Sequence, residues 1–389
     1  MIPIAMPLLG EAEAQAAHAA VLSGWVSQGP QVAAFEAEFA TLTGARHACA
    51  VSNCTTALHL ALLAVGVGPG DEVITVSHSF IAGANAIRQC GALPVFVDIA
   101  AGGYNIDPAA VAAAVTARTR AILCVHQIGM PCDMEAVMAV ARAHDLRVVE
   151  DAACAAGAQI RIGGSWQPVG RPLGDVVCFS FHPRKVISTG EGGMLTTDDP
   201  RMDAQFRLWR QHGMSVSDTR RHASDRVIIE DYPVAGFNYR MTDIQAAIGR
   251  QQLLRLPGIV AARRALAARY AQALMQMEGV TAPVEPGGMR SNWQSYAVGL
   301  DPDLDQRALM QHMLEVGIAT RRGIMCMHLE AACADIPQRH DLSRSEGARD
   351  HTVLLPMFAQ MDHDQQDQVL AALRDAVAAQ HPRRSRLTA

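Results

Sequence analysis

An α/β architecture on a mainly parallel sheet is predicted by three features of this chain. Short apolar segments recur, helical stretches separate them, and polar or glycine-bearing turns bound them. Strands covered by helices on both faces read as unbroken apolar runs rather than as alternation.

The elements follow in order from about residue 55. TTALHLALLAVG (55–66) is an apolar helical run ended by Gly66. A strand is expected at VITV (73–76), a helix at 79–91 and a strand at PVFVD (94–98). Helix 108–115 leads to strand AILCV (121–125), and helix 134–144 leads to strand RVVE (147–150). Further strands are expected at 176–181 and 193–197. After Asp243 a long helical tract runs to about Met277 with an interruption near Pro257, followed by the loop PVEPGG. A strand at WQSYAVGL and helices near 304–316 and 363–379 suffice for a smaller α+β domain. The last residues, HPRRSRLTA, read as a solvated basic tail. No internal repeat is visible.

A chain of 389 residues exceeds one ordinary core. Two domains are expected, a large one over 1–250 and a small C-terminal one over 251–389. Half the residues are hydrophobic and 18% are charged, against about 25% in ordinary soluble domains. That leaves material for a large core and a buried subunit interface. The net charge of −5 is spread along the chain, with no nucleic-acid footprint and no membrane surface. No signal peptide is read at the N-terminus, and no apolar run is long enough to span a bilayer. Nine scattered cysteines without a CxxC pair fit reduced thiols in a cytoplasmic enzyme.

One count is sharper. Of the 33 basic residues, 32 are Arg and one is Lys, Lys185. Arg replaces Lys freely on a solvated surface, which accounts for the depletion but not for where the survivor sits. A guanidinium is never deprotonated at working pH and forms no Schiff base. Chemistry needing an amine side chain has one candidate.

Ligands of open α/β sheets gather beyond the carboxyl ends of the strands. Asp151, in RVVEDAACAAGA, ends a buried strand, and alternation sends Glu150 to the opposite face. It is either a helix N-cap or the partner of a cationic group. FSFHPRKVISTGEGGM (179–194) carries Ser180, a hydroxyl donor, and Lys185 in a turn opened by Pro183. Its glycines at 190, 192 and 193 are expected to let the backbone pass close to a bulky ligand. Neither a Walker loop nor a strand-borne GxGxxG is present. In SNCTTAL (52–58), Thr55 and Thr56 open an apolar helix, whose free N–H groups either cradle a phosphate or are simply capped. Phe80 begins the helix after the VITV strand, as a core residue or an aromatic stacking partner. Asn238, in GFNYRM, precedes the long helix and is either its cap or a ligand contact.

Taken in this order, the segments resemble the DegT/DnrJ/EryC1/StrS aminotransferases, a sugar-aminotransferase branch of the aspartate-aminotransferase (type I PLP) fold. The carrying motifs are SNCTTALHLAL, GPGDEVITVSHSF, PVFVDI, VVEDAA, FSFHPRK, TGEGGM and GFNYRM, and the likeness runs from GWVSQGP (24–30) through NYRMTDIQAAIG (238–249). The resemblance implies pyridoxal 5′-phosphate (PLP) as cofactor, with Lys185 as its Schiff-base lysine and Asp151 as partner of the pyridinium nitrogen. Ser180, Thr55 and Thr56 would hold the phosphate, and Phe80 would cover the ring. Asn238 would reach the phosphate of the other subunit of a homodimer. The implied reaction is a ping-pong transfer of an amino group from glutamate or glutamine to a keto sugar, nucleotide-linked by the same analogy. The freed Lys185 amine would move the proton, and burial together with the nearby cationic imine is expected to keep it partly neutral.

The sequence departs from the family pattern at three places. Cys154 stands where many relatives carry Gln, Val76 and Ser79 replace the Pro and Thr of a P-S-x-T motif, and VHQIG (125–129) replaces HLYG. The last two changes bear on the substrate side. Rival readings are an aminotransferase of a cyclitol or other ketone, a PLP-dependent sugar dehydratase, and a non-catalytic ligand-binding regulator. The dehydratases resemble this chain but carry His at the lysine position, so Lys185 argues against them. A metal centre on Cys326, His328 and Cys333 fits no familiar zinc spacing. His328 and Arg240 are weaker candidates for contact with the substrate.

Overall fold

The computed structural model describes residues 1–217, 221–222 and 224–380. The basic tail at 381–389 lies outside them. Strands β1 (His47–Val51), β2 (Glu72–Val76), β3 (Leu93–Val97), β4 (Thr119–Val125), β5 (Arg147–Asp151), β6 (Gln159–Ile162), β7 (Ser165–Pro168), β8 (Val176–Ser180) and β9 (Gly193–Thr197) occupy the first half. The main sheet has seven strands in the order β1-β9-β8-β5-β4-β2-β3. Its β3-β2-β4-β5-β8 run is parallel, whereas β9 is antiparallel to both of its neighbours. Strand order reverses between β2 and β4, the kind of switch point where α/β sheets open a crevice.

Helices α1 (Glu11–Leu22), α2 (Pro30–Thr43), α3 (Cys54–Ala64), α4 (Ala82–Gln89), α5 (Pro108–Ala114), α6 (Met134–Ala143) and α7 (Pro200–Trp209) cover both faces. Alternation along each strand divides the core. Leu123 and Val149 pack with Leu58 and Leu62 of α3, whereas Ile122, Cys124 and Val148 pack with Val111 and Val137 of α5 and α6. Phe80 does not begin α4, as expected from the sequence, but stands in the link between β2 and that helix.

Helix α8 (Asp243–Leu274) runs unbroken through Pro257, contrary to the expected interruption. A mid-helix proline costs about 3 kcal/mol. Leu253, Leu256, Ile259 and Val260 are buried on both sides of it against Phe39 and Phe179, enough apolar burial to hold the rod straight through the defect. The expected 250/251 boundary falls inside this helix.

At its start, buried Asp243 accepts N–H bonds from Gly29, Gln31 and Val32 at 2.7, 3.0 and 2.9 Å, capping α2 from across the chain. A Cβ on Gly29 would lie 2.7 Å from that carboxylate, which is why SQGP and MTD go together.

The rest of the chain adds β10 (Val280–Thr281), β11 (Met289–Arg290), β12 (Tyr296–Leu300), β13 (Arg321–Arg322) and β14 (Thr352–Leu355). It also adds α9 (Gln306–Glu315), α10 (Ser343–Asp350) and α11 (His363–Gln380). A four-stranded antiparallel sheet, β10-β12-β14-β13, packs with Tyr270 of α8, Leu309 of α9 and Leu373 of α11. A third sheet, β11-β6-β7, ties the two halves together. The strand expected at WQSYAVGL begins only at Tyr296, which leaves residues 292–295 free to make a tight turn.

Candidate active site

Asp151 ends β5 at the carboxyl edge of the main sheet, level with Cys178 of β8. Glu150 points the other way, where His126 Nε2 lies 3.1 Å from it and the N–H groups of Leu173 and Gly174 each donate at 2.9 Å. Asp151 receives one bond, from Ala153 N–H at 2.9 Å, and its other oxygen has no hydrogen-bond partner among the described residues. No helix begins after it, so capping does not explain it. Burial raises its carboxyl above the usual range, against the pull of the Ala153 N–H, Lys185 and His126. A buried acid short of a cation is the complement of a protonated ring nitrogen.

Lys185 sits in a turn closed by its own N–H to the His182 carbonyl at 2.8 Å, with Pro183 at the corner. Its Nζ donates to Cys154 Sγ at 3.2 Å. Burial acts to neutralise this amine, but the Cys154 thiol and the Asp151 carboxylate prevail and hold its pKa above the ordinary lysine value. These two neighbours outweigh the loss of water. That is the balance without cofactor, whereas the partly neutral amine is expected of Lys185 freed beside a cationic imine.

Ser180 ends β8, and the only hydrogen bond of its hydroxyl among the described residues is a long 3.5 Å contact received from His182 N–H. That leaves its hydroxyl hydrogen free. At the start of α3, Asn53 accepts the Thr56 N–H at 2.9 Å while the Thr56 hydroxyl donates to the Asn53 carbonyl at 2.7 Å. Thr56 is committed to the cap, and the Thr55 hydroxyl has no hydrogen-bond partner among the described residues. Gly192 and Gly193 also make room for protein neighbours. A Cβ on Gly193 would sit 2.4 Å from the Asn53 carbonyl oxygen, and one on Gly192 would sit 2.4 Å from Thr189 Oγ1. Gly193 lets β9 pass against the loop that caps α3, which sets the height of that helix end over the sheet.

Phe80 is 64% exposed at the mouth of the β2–β4 crevice, so it is not a core residue. Asn238 is exposed, and Thr242 rather than Asn238 caps α8. Arg240 bridges through its backbone to Val51, and no ion pair involves it among the described residues. The Nδ1 of His328 lies 2.6 Å from the Ser77 hydroxyl, just past β2, and its Nε2 3.1 Å from Glu346 of α10, so both ring nitrogens have protein partners. Cys326 donates its thiol to the Ser345 carbonyl, and Cys333 is buried in an apolar cluster with Met327 and Leu342. These side chains serve the packing around them rather than a common centre.

Sequence reasoning missed Asn292 and Gln294. Buried Asn292 donates to the carbonyls of Cys154 and Ala156 at 2.7 and 2.8 Å, and Gln294 donates to the Arg184 carbonyl at 2.7 Å. One turn, with Trp293 at φ 53°, thus pins both the Cys154 loop and the Lys185 loop. Gly129, at φ +93°, fits beneath it only because it lacks a Cβ, which would overlap Asn292 Oδ1. The VHQIG segment is shaped by this contact and by Gln127, which donates to the His78 carbonyl. The readable signal was a pair of amide residues, SNWQS, just ahead of a strand.

The geometry is that of an amine beside a buried acid, with an open aromatic ring, a free serine hydroxyl and an open helix end. The sequence matches the DegT/DnrJ/EryC1/StrS aminotransferase family over residues 7–374. The chain belongs to that family. It is 40% identical to the GDP-perosamine synthase of Caulobacter vibrioides, with 96% of this chain and 97% of the relative covered. It is 39% identical to the spore coat polysaccharide biosynthesis protein SpsC of Bacillus subtilis, with 97% of each covered. Among solved structures, the aminotransferase TlmJ from Streptoalloteichus hindustanus superposes with a TM-score of 0.89 at 34% identity, covering 97% of this chain and 99% of that one. As a DegT/DnrJ/EryC1/StrS protein the chain is a PLP-dependent aminotransferase of the type I fold. The donor set fits PLP, because unsatisfied, buried Asp151 asks for a cation and exposed Phe80 for a flat ring.

Proposed function

We propose that this aminotransferase moves an amino group from glutamate or glutamine to a keto sugar carried on a nucleotide. Bound PLP supplies an aldehyde that accepts the amino group and a protonated ring that withdraws electrons. In this reading Lys185 Nζ anchors the cofactor and, once freed, carries a proton to and from the reacting carbon. Asp151 holds the ring nitrogen protonated, Ser180, Thr55 and the open N–H groups of α3 take the phosphate, and Phe80 covers the ring. The observation that carries the reading is the chain's single lysine, held at the carboxyl edge of the sheet beside a buried acid.

Arg184 and Arg321 support an anionic acceptor. Arg184 has its pKa lowered by burial and by the nearby Arg321, and no ion pair involves either residue among the described ones. The sugar-linked names of the two curated relatives point the same way. A homodimer with shared sites is supported by exposed Asn238 and by the neighbouring stretch, which leaves Val227 93% and Ile229 87% exposed. A second copy would cover that apolar surface. Nine free cysteines support a reducing, cytoplasmic setting. No helix of the described residues is long and apolar enough to cross a membrane.

The test is spectroscopic. Glutamate should bleach the PLP absorbance of the yellow protein, and a matching keto-sugar nucleotide should restore it. Recovery with free cyclitol ketones but with no nucleotide sugar would overturn the acceptor assignment.

A further inference from the structure

Cys154 is the one cysteine of the nine that is not buried, and its sulfur touches the amine of the only lysine at 3.2 Å. Both loops are fixed, the first by Asn292 and the second by Gln294, so the two atoms are held together rather than meeting by chance. We propose that Cys154 and Lys185 form a redox-sensitive modification site, in which peroxide oxidises the sulfur and the amine closes a reversible sulfur–nitrogen cross-link.

The steps balance. The thiolate sulfur attacks one oxygen of hydrogen peroxide, the S–O bond forms, the O–O bond breaks, and hydroxide leaves as water after taking a proton. Sulfur loses two electrons and peroxide gains them. Lys185 Nζ then attacks the sulfenic sulfur, the N–S bond forms, the S–O bond breaks, and the oxygen leaves as water with a proton from Nζ. No further oxidant is consumed. Sulfenic acids condense in this manner with thiols and with backbone nitrogen, and a side-chain amine is the stronger nucleophile. The charge balance favours the second step. Burial drives Lys185 toward its neutral form and Cys154 opposes it, so oxidising the sulfur removes the largest group that keeps the amine protonated. Excess thiol reopens the link. The consequence for cofactor loading rests on the assignment of Lys185 as the PLP amine, whereas the cross-link itself does not.

The test treats the full-length chain, stripped of cofactor, with hydrogen peroxide. The expected result is a loss of about 2 Da, the two hydrogens removed, mapped to peptides joined at Cys154 and Lys185. Amine-reactive labelling of Lys185 should disappear, PLP absorbance should fail to develop, and dithiothreitol should restore both. Cys154→Ser should abolish the link and Cys54→Ser should keep it. Gains of about 16 or 32 Da at Cys154 with Lys185 still labelled would overturn the proposal, as would a disulfide mapped to Cys54 and Cys154. A parallel arm loads PLP before the peroxide. A link that forms despite PLP would sink the Lys185 assignment and leave the cross-link standing, whereas PLP bound at Lys185 with no link in either arm would sink the cross-link alone.

Discussion

Burial makes the ionised form of Asp151 costly, and the Ala153 N–H, Lys185 and His126 offset only part of that cost. In the cofactor-free protein burial raises its pKa, so the folded state binds the proton more tightly than the unfolded chain. The cost of ionisation is absent below the ordinary carboxylate value of about 3.9 and grows as pH rises through the folded value. Asp151→Asn should therefore be more stable than wild type in cofactor-free protein at pH 7, with the gap closing in acid, while binding PLP more weakly. Urea unfolding across pH checks this, and a destabilised cofactor-free mutant at pH 7 would refute it. Phe80 makes a complementary case. Its ring is exposed, so Phe80→Ala should leave cofactor-free stability unchanged and weaken PLP binding by about 1 kcal/mol, the worth of an aromatic stack. Titration of PLP absorbance measures it. Lys185 and Asp151 were legible because an amine and a carboxylate at strand ends each have few uses. Asn292 and Gln294 were not, because their partners lie 138 and 110 residues away and nothing local marks an amide as a clamp.

At the scale of elements, the capping of α2 by Asp243 joins two motifs that are far apart in sequence. Asp243→Ala strands three N–H groups at a helix start and removes a charge-assisted acceptor. The expected loss is at least ~2 kcal/mol, read as a lower urea midpoint with an unchanged slope. An unchanged midpoint would mean that water replaces the cap. Helix α8 was misread at Pro257 because local propensity predicts a break, whereas burial of Leu253, Leu256, Ile259 and Val260 decides the outcome. Helices α1 and α2 went unassigned because alanine-rich sequence carries little periodic contrast between their faces. The short β6–β7 hairpin, joined by Gly163 and Gly164 at φ 55° and 85°, has no apolar signature of its own.

For the whole molecule, the parallel order of β2, β3, β4, β5 and β8 was readable from apolar strands alternating with helices. The antiparallel β9 was not, since pairing direction leaves no mark on a buried strand. The proposed shared sites make a sharp prediction. A Lys185→Ala chain and an Asn238→Ala chain, each impaired alone, should regain activity when unfolded together and refolded as mixed dimers, because one site then receives both residues intact. No gain on mixing would place Asn238 outside the partner's site. The most direct measurement is borohydride reduction of the PLP-loaded protein followed by peptide mapping, because the chain has one lysine and the N-terminus supplies the only other primary amine. The predicted result is a single pyridoxyl adduct at Lys185. An adduct confined to the N-terminus, or none on a protein that still transaminates, would contradict it.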